Sequence, residues 1–146
     1  MRAVVQRVSE ASVTVDGKIT GSIGRGLLVL IAVHRDDTDD QLRWMADKLR
    51  KLRIFEDEEG KMNRSVEDVG GGILLVSQFT LYGELKKGTR PSFTSSAGPE
   101  QAEQMYDRLT ALLKEALPGR VGTGIFAAKM DVSLVNDGPV TIIMER

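Results

Sequence analysis

Cysteine is absent and histidine occurs once, at His34, in a chain of 146 residues. Without thiols there can be no disulfide, zinc finger, iron–sulfur cluster or cysteine nucleophile. With a single imidazole a multi-histidine metal site is excluded, and any Ser-His-Asp triad would have to run through His34. No cluster at metal-ligand spacing appears elsewhere, so neither a metal nor another cofactor is expected. Long apolar runs are missing too. The longest, Leu27 to Val33, has seven residues, against the about 20 that a membrane-spanning helix needs. Between Arg2 and Arg7 the apolar stretch is only Ala3-Val4-Val5, too short for a signal-peptide core. Nor is there an excess of charge of one sign: 20 Lys plus Arg stand against 21 Asp plus Glu, a net charge of −1. A polyanion such as nucleic acid therefore has to be met by a local patch rather than by the whole surface. These absences together predict a soluble cytoplasmic protein.

What remains is ordinary globular material, 41% hydrophobic and 28% charged, with no linker, repeat or low-complexity tract. One domain spanning residues 1–146 is expected. Val-rich stretches Ala3 to Val8 and Ala11 to Val15 read as strands, with Asp16-Gly17 as a hairpin turn into a strand over Lys18 to Ile23. Leu27 to Val33, apolar at every position, predicts a strand covered on both faces. Leu42, Met45, Ala46, Leu49 and Leu52 recur at helical spacing behind a Thr38–Gln41 capping box. Glu56 to Arg64 reads as a surface loop, and Ile73 to Thr80 as a second buried strand. A second helix starts near Pro99, carries an apolar side from Ala102 to Ala116, and stops at Pro118-Gly119. Strands Asp131 to Val135 and Val140 to Met144 close the chain as a hairpin. Two one-sided helices among many strands predict an α/β single domain, mostly β-sheet layers with both helices on one face. The opposite sheet face then needs cover from a second sheet or a second subunit.

Three places hold candidate chemistry. Ser77, Gln78 and Thr80 enter an otherwise apolar strand end, either as a strand leaving the core or as a rim of hydroxyl, amide and N–H groups where a ligand could bind. Asn136-Asp137-Gly138-Pro139-Val140-Thr141 reads as a turn, although Pro139 removes an N–H where a hairpin ladder should resume, and a Gly-Pro bond can be cis. Lys86, Lys87 and Arg90 lie just downstream of the first segment, in a Gly-containing loop that phosphate oxygens could approach. His34, next to Arg35-Asp36-Asp37, reads as a strand-end residue rather than a base, since no nucleophile with an orienting carboxylate adjoins it.

Ser77-Gln78-Phe79-Thr80-Leu81 and Asn136 to Thr141 together resemble the two signature motifs of the D-aminoacyl-tRNA deacylases. The resemblance extends to Gln6-Arg7-Val8, Arg53-Ile54-Phe55, Gly60-Lys61-Met62-Asn63, Arg90-Pro91-Ser92-Phe93 and Phe126-Ala127-Ala128-Lys129-Met130. It departs at Tyr82-Gly83-Glu84-Leu85. It implies a three-layer α/β/β fold and a homodimeric hydrolase, with its active sites at the subunit interface. The substrate would be the ester joining a D-amino acid to the terminal ribose of tRNA, or glycine mischarged on the tRNA for alanine. In such a site Gly138 and Pro139 would form a cis peptide reaching into the partner subunit's pocket. Their carbonyls would hold the substrate ammonium and exclude an L side chain. Arg7 would fix that loop, Ser77, Gln78, Phe79 and Thr80 would form the hydrolytic side, and Phe126, Ala127 and Met130 would line the region near the terminal adenosine.

With no thiol and one histidine, the chemistry expected is positioning plus stabilisation of the oxyanion by the Phe79 and Thr80 N–H groups, assisted by the ribose 2′-hydroxyl. The alternatives are a Thr80 nucleophile working through an acyl-enzyme, an ester hydrolase with a substrate other than tRNA, and a non-catalytic tRNA-binding dimeric module.

Overall fold

The computed structural model describes all 146 residues. Its first element is one long strand, β1 (Arg2–Val15), where two were expected. Ala3 and Val5 point to the helix side, whereas Ala11 and Val13, of the same parity, point to a second core on the other side. The switch falls where the register against the last strand slips, between Val8 and Glu10. A bulge adds the residue that flips the face, so the strand turns from one layer into another without breaking.

Asp16 and Gly17, both at positive φ, return the chain into β2 (Lys18–Ile23). Then β3 (Gly26–Ala32) pairs antiparallel with the first half of β1. Helix α1 (Asp39–Lys51) starts at the anticipated Thr38–Gln41 capping box, with Thr38 N–H donating to Gln41 Oε1 at 2.9 Å. Within residues 56–64, expected to be loop throughout, the chain forms a small ribbon of β4 (Phe55–Glu56) and β5 (Met62–Arg64). The buried β6 (Gly72–Ser77) lies parallel to β3, and α2 (Pro99–Ala116) carries the chain to a short β7 (Val121–Thr123) parallel to β6. The two crossovers, β3 to β6 and β6 to β7, step the same way along the sheet. Right-handed crossovers stepping one way must put both helices on one face, as expected.

The main core lies between helices and sheet: Val5, Leu27, Val29, Ile73 and Leu75 meet Leu42, Met45, Leu49, Leu109 and Leu113. Alternate residues of the same strands, Leu28, Leu74 and Val76, face the smaller core under β2 and the bent part of β1. Layers of helix, sheet and sheet result. Glycine lets the two sheet layers close: a Cβ on Gly21 of β2 would lie 2.4 Å from the Thr123 carbonyl oxygen of β7.

The C-terminal segment is not a hairpin. Asp131–Glu145 is a single strand, β8, antiparallel to β1 on both sides of residues 137–140. Val8 faces Asn136 and Gln6 faces Thr141, so two steps on β1 match five on β8. The surplus residues are extruded as a loop containing Gly138-Pro139, whose peptide bond is cis. Proline at this point costs no ladder hydrogen bond, because the loop has already left the ladder.

Candidate functional site

A cavity of about 590 Å³ opens at the carboxyl ends of β3 and β6, where their loops diverge toward α2. Parallel strands characteristically place ligand clefts at this end. Ser77, Gln78, Phe79, Phe126, Ala127 and Met130, all expected at the site, line it. Among the other lining residues, three that were not expected at the site bring an aromatic ring or a hydroxyl to its wall. Tyr106 was assigned to the apolar side of α2. It is a core residue, but its hydroxyl donates to the Leu75 carbonyl at 2.8 Å and its ring forms part of the cavity wall. Burial pushes its phenol up to about 12, so it stays protonated. Phe93 packs edge-on against Phe79 with ring centres 5.2 Å apart. Ser96 holds the buried side-chain oxygen that lacks a hydrogen-bond partner. What joins these residues to Ser77, Gln78 and Phe79 is the shared tertiary wall, so no local pattern announces them.

The expected strand over Ile73 to Thr80 ends early. Pairing with β3 stops at Ile31–Ser77, and Gln78 N–H makes the last link, to the Ile31 carbonyl at 2.8 Å. With no partner strand beyond, Phe79–Tyr82 coils into one turn of 3-10 helix. This changes which backbone groups are free. Leu81 N–H returns to the Gln78 carbonyl and Gly83 N–H to that of Thr80, but Phe79 and Thr80 head the turn, so their N–H groups have no acceptor within it and no side chain caps them. The turn is braced from behind by Arg2. Its guanidinium donates to the Leu81 carbonyl at 2.6 Å and to the Glu145 carboxylate at 2.9 Å, and lies 4.7 Å from the centre of the Tyr82 ring. Desolvation of Tyr82 raises its phenol pKa, so the ring remains a neutral platform for that cation.

Thr80 is exposed and does not line the cavity, and the Gln78 amide donates to its Oγ1 at 2.6 Å. An amide donor on the hydroxyl oxygen draws off lone-pair density, the opposite of activation. His34 is not placed to help. Its Nδ1 accepts the Asp36 N–H at 3.2 Å and its ring packs edge-on against Tyr82, outside the cavity lining. No three His, Asp or Glu side chains gather to hold a metal. Across the cavity Ala127 sits at φ 60°, unusual for a residue with a side chain, and turns the Phe126–Met130 segment inward.

The second candidate, the Gly138-Pro139 loop, is not brought to this cavity: neither residue lines it, nor does Arg7. The loop is nonetheless closely held. Asn136 clamps it by accepting the Val140 N–H at 2.8 Å and donating to the Val140 carbonyl at 3.1 Å. Arg7 is buried beneath it, donating to the Asp137 carbonyl at 2.8 Å and to the Ile54 carbonyl at 2.7 Å. Gly138 and Pro139 themselves are exposed, so the loop offers a firmly based backbone ridge to solvent.

The family model described as D-Tyr-tRNA(Tyr) deacylase matches residues 4–145. The D-aminoacyl-tRNA deacylase of Chloroherpeton thalassium is 59% identical over 145 residues, covering 99% of this chain and 95% of that protein. The one from Exiguobacterium sibiricum is 56% identical over 146 residues, all of both chains. The solved structure of a c-Myc DNA unwinding element binding protein superposes with a TM-score of 0.95 at 45% identity, covering 100% of this chain and 99% of that one. A structure described as "a probable eukaryotic D-amino acid tRNA deacylase" superposes with a TM-score of 0.84 at 24% identity, over 98% of this chain and 97% of that one, which is a likeness of fold. With a family match running from β1 into β8 and relatives more than half identical over almost their full length, the chain belongs to the D-Tyr-tRNA(Tyr) deacylase family.

Proposed function

We propose that this chain hydrolyses the ester linking a D-amino acid to the terminal ribose of tRNA, using backbone amides rather than a side-chain nucleophile. The observation that carries the reading is the pair of uncommitted N–H groups at Phe79 and Thr80, on the turn that borders the cavity. Water adds to the ester carbonyl carbon, and the two amides receive the oxyanion. Collapse releases the amino acid and returns a proton to the ribose 3′-oxygen, with the neighbouring 2′-hydroxyl ordering the water. One well-aimed donor is worth on the order of 10²–10³ in rate, which is substantial for an already labile aminoacyl ester. The Phe126, Ala127 and Met130 wall, apolar and with an aromatic ring, suits the terminal adenosine.

Selectivity for the D form is assigned to the Gly138-Pro139 ridge. A second copy of the chain supplies it, because the ridge does not line the cavity of its own copy. Its carbonyls accept the substrate ammonium, and an L side chain meets backbone. Rigid exclusion discriminates better than a fitted apolar pocket does, and the Asn136 and Arg7 anchors make the ridge stiff. Glycine has nothing to exclude, so glycine mischarged on the tRNA for alanine is a substrate as well. The face opposite the helices, bearing Val4 and the exposed Ile143, is where the second copy docks. The test is incubation with D-Tyr-tRNA and L-Tyr-tRNA. Release from the D form alone supports the reading; equal release from both, or from neither, overturns it.

A further inference from the structure

The charges around the cavity mouth divide into paired and unpaired. Arg2 is engaged by Glu145, Arg35 lies 3.9 Å from Asp36, and Lys86 is paired with Glu84 at 2.9 Å, a contact that raises the lysine pKa. Lys87, Arg90 and Lys129 are exposed and form no ion pair. Their placement is not scattered. Lys87 and Arg90 sit on the tip of a loop whose neck is closed by two backbone bonds, Glu84 N–H to the Ser92 carbonyl at 2.8 Å and the reverse at 3.0 Å. The base of that loop rests on the 3-10 turn. Phe93 packs edge-on against Phe79, and Pro91 packs near Gly83, within 3.6 Å of where a Cβ there would stand. Lys129 lies on the opposite rim, between the lining residues Ala128 and Met130. A chain of net charge −1 thus frames one opening with three free cations.

We propose that Lys87, Arg90 and Lys129 form a two-sided phosphate clamp, which grips the single-stranded 3′ end of tRNA as its terminal nucleotide enters the cavity. The proposal rests on the deacylase reading and adds to it the surface that tells a charged tRNA from a bare aminoacyl ester. Flexible side chains on a solvated rim contribute through phosphate neutralisation and counterion release. Each neutralised phosphate of a single strand contributes about −0.7 to the slope of log affinity against log salt. Three such contacts give kcat/KM for D-aminoacyl-tRNA a slope of about −2, while hydrolysis of a phosphate-free D-aminoacyl-adenosine should be nearly salt-independent.

The experiment measures both substrates from about 50 to 200 mM salt, the range over which phosphate contacts are readily resolved. It compares the natural protein, the triple variant Lys87→Ala, Arg90→Ala, Lys129→Ala, and a control, Lys18→Ala with Lys114→Ala, which removes two exposed lysines away from the cavity lining. The clamp predicts that the triple variant alone flattens the salt slope. It also predicts that the preference for tRNA over the adenosine ester falls at least tenfold, through KM. Binding of an uncharged single-stranded tRNA 3′ end, which needs no turnover, should weaken in parallel. An unchanged slope in the triple variant, or an equal flattening in the control, overturns the clamp. If the natural protein cleaves neither substrate, the deacylase reading fails first and the clamp fails with it.

Discussion

Glycine at 138 is required twice over. Its φ of 150° is one that side chains rarely adopt, and a Cβ there would lie 2.7 Å from both Cγ2 and the amide nitrogen of Val140. Gly138→Ala is therefore expected to displace the ridge and lower kcat/KM for D-Tyr-tRNA at least tenfold, measured as ester release. Retention of natural activity would remove the ridge from the site. Thr80 gives the opposite expectation. Its hydroxyl accepts from Gln78 and has no base beside it, so its backbone matters more than its side chain. Thr80→Ala should keep turnover within about an order of magnitude, since the loss of one hydrogen bond is modest against the barrier lowering assigned to the amides. Abolished turnover would favour the acyl-enzyme route. At this scale the sequence was only partly informative. Ser77 to Thr80 stood out as polar residues at an apolar strand end, yet freeing the Phe79 and Thr80 amides depends on β3 ending at Ala32.

Among elements, the β4–β5 ribbon shows how much local chemistry a polar segment can hide. Asp57 accepts the Glu59 and Lys61 N–H groups and the Asn63 amide, each within 2.9 Å. The Asn63 amide foremost, then these backbone donors, hold its carboxyl below the ordinary 3.8. Asp68, capped by the Ser65 N–H and hydroxyl, is lowered as well. A carboxylate whose pKa folding depresses contributes stability above its unfolded value, and that contribution disappears as pH falls through the depressed one. Thermal melts of the natural protein and Asp57→Asn should accordingly differ at neutral pH and converge below about pH 3.8. A gap that stays constant into acid would mean that geometry, not charge, holds the ribbon. A scan for alternating apolar residues cannot find such an element, because its turn is held by the Asp57 side chain and most of its residues are exposed. The helices were legible for the converse reason: Leu42, Met45, Leu49, Leu109 and Leu113 have no way to be buried together except on one side of a helix.

For the whole molecule the decisive asymmetry lies in the sheet. One face is sealed by both helices, and the second layer seals only part of the other, over Leu28, Leu74 and Val76. Beyond that cover Ile143 is 72% exposed, paired across β1 to Val4 and flanked by Gln6 and Thr141. The proposed second copy, docked there, would cover this apolar surface. Ile143→Glu tests the arrangement without disturbing either core, because the side chain is already in water. A dimer measured by sedimentation for the natural protein should become a monomer, with loss of D-Tyr-tRNA hydrolysis. A monomeric variant at full activity would show that one copy suffices.

Amino-acid order alone determined which chemistries are missing, where the two α-helices lie, and that the Leu27 to Val33 strand is covered on both sides, because composition and periodicity act over a few residues. Only the tertiary structure decided that Asp131–Glu145 is one strand on β1 rather than a hairpin. The same holds for the strand that stops at Ser77, and for the ridge and the cavity lying apart within one copy. Each of these turns on which distant backbone offers or withholds a hydrogen-bond partner, and strand pairing across more than a hundred residues leaves no trace in local sequence.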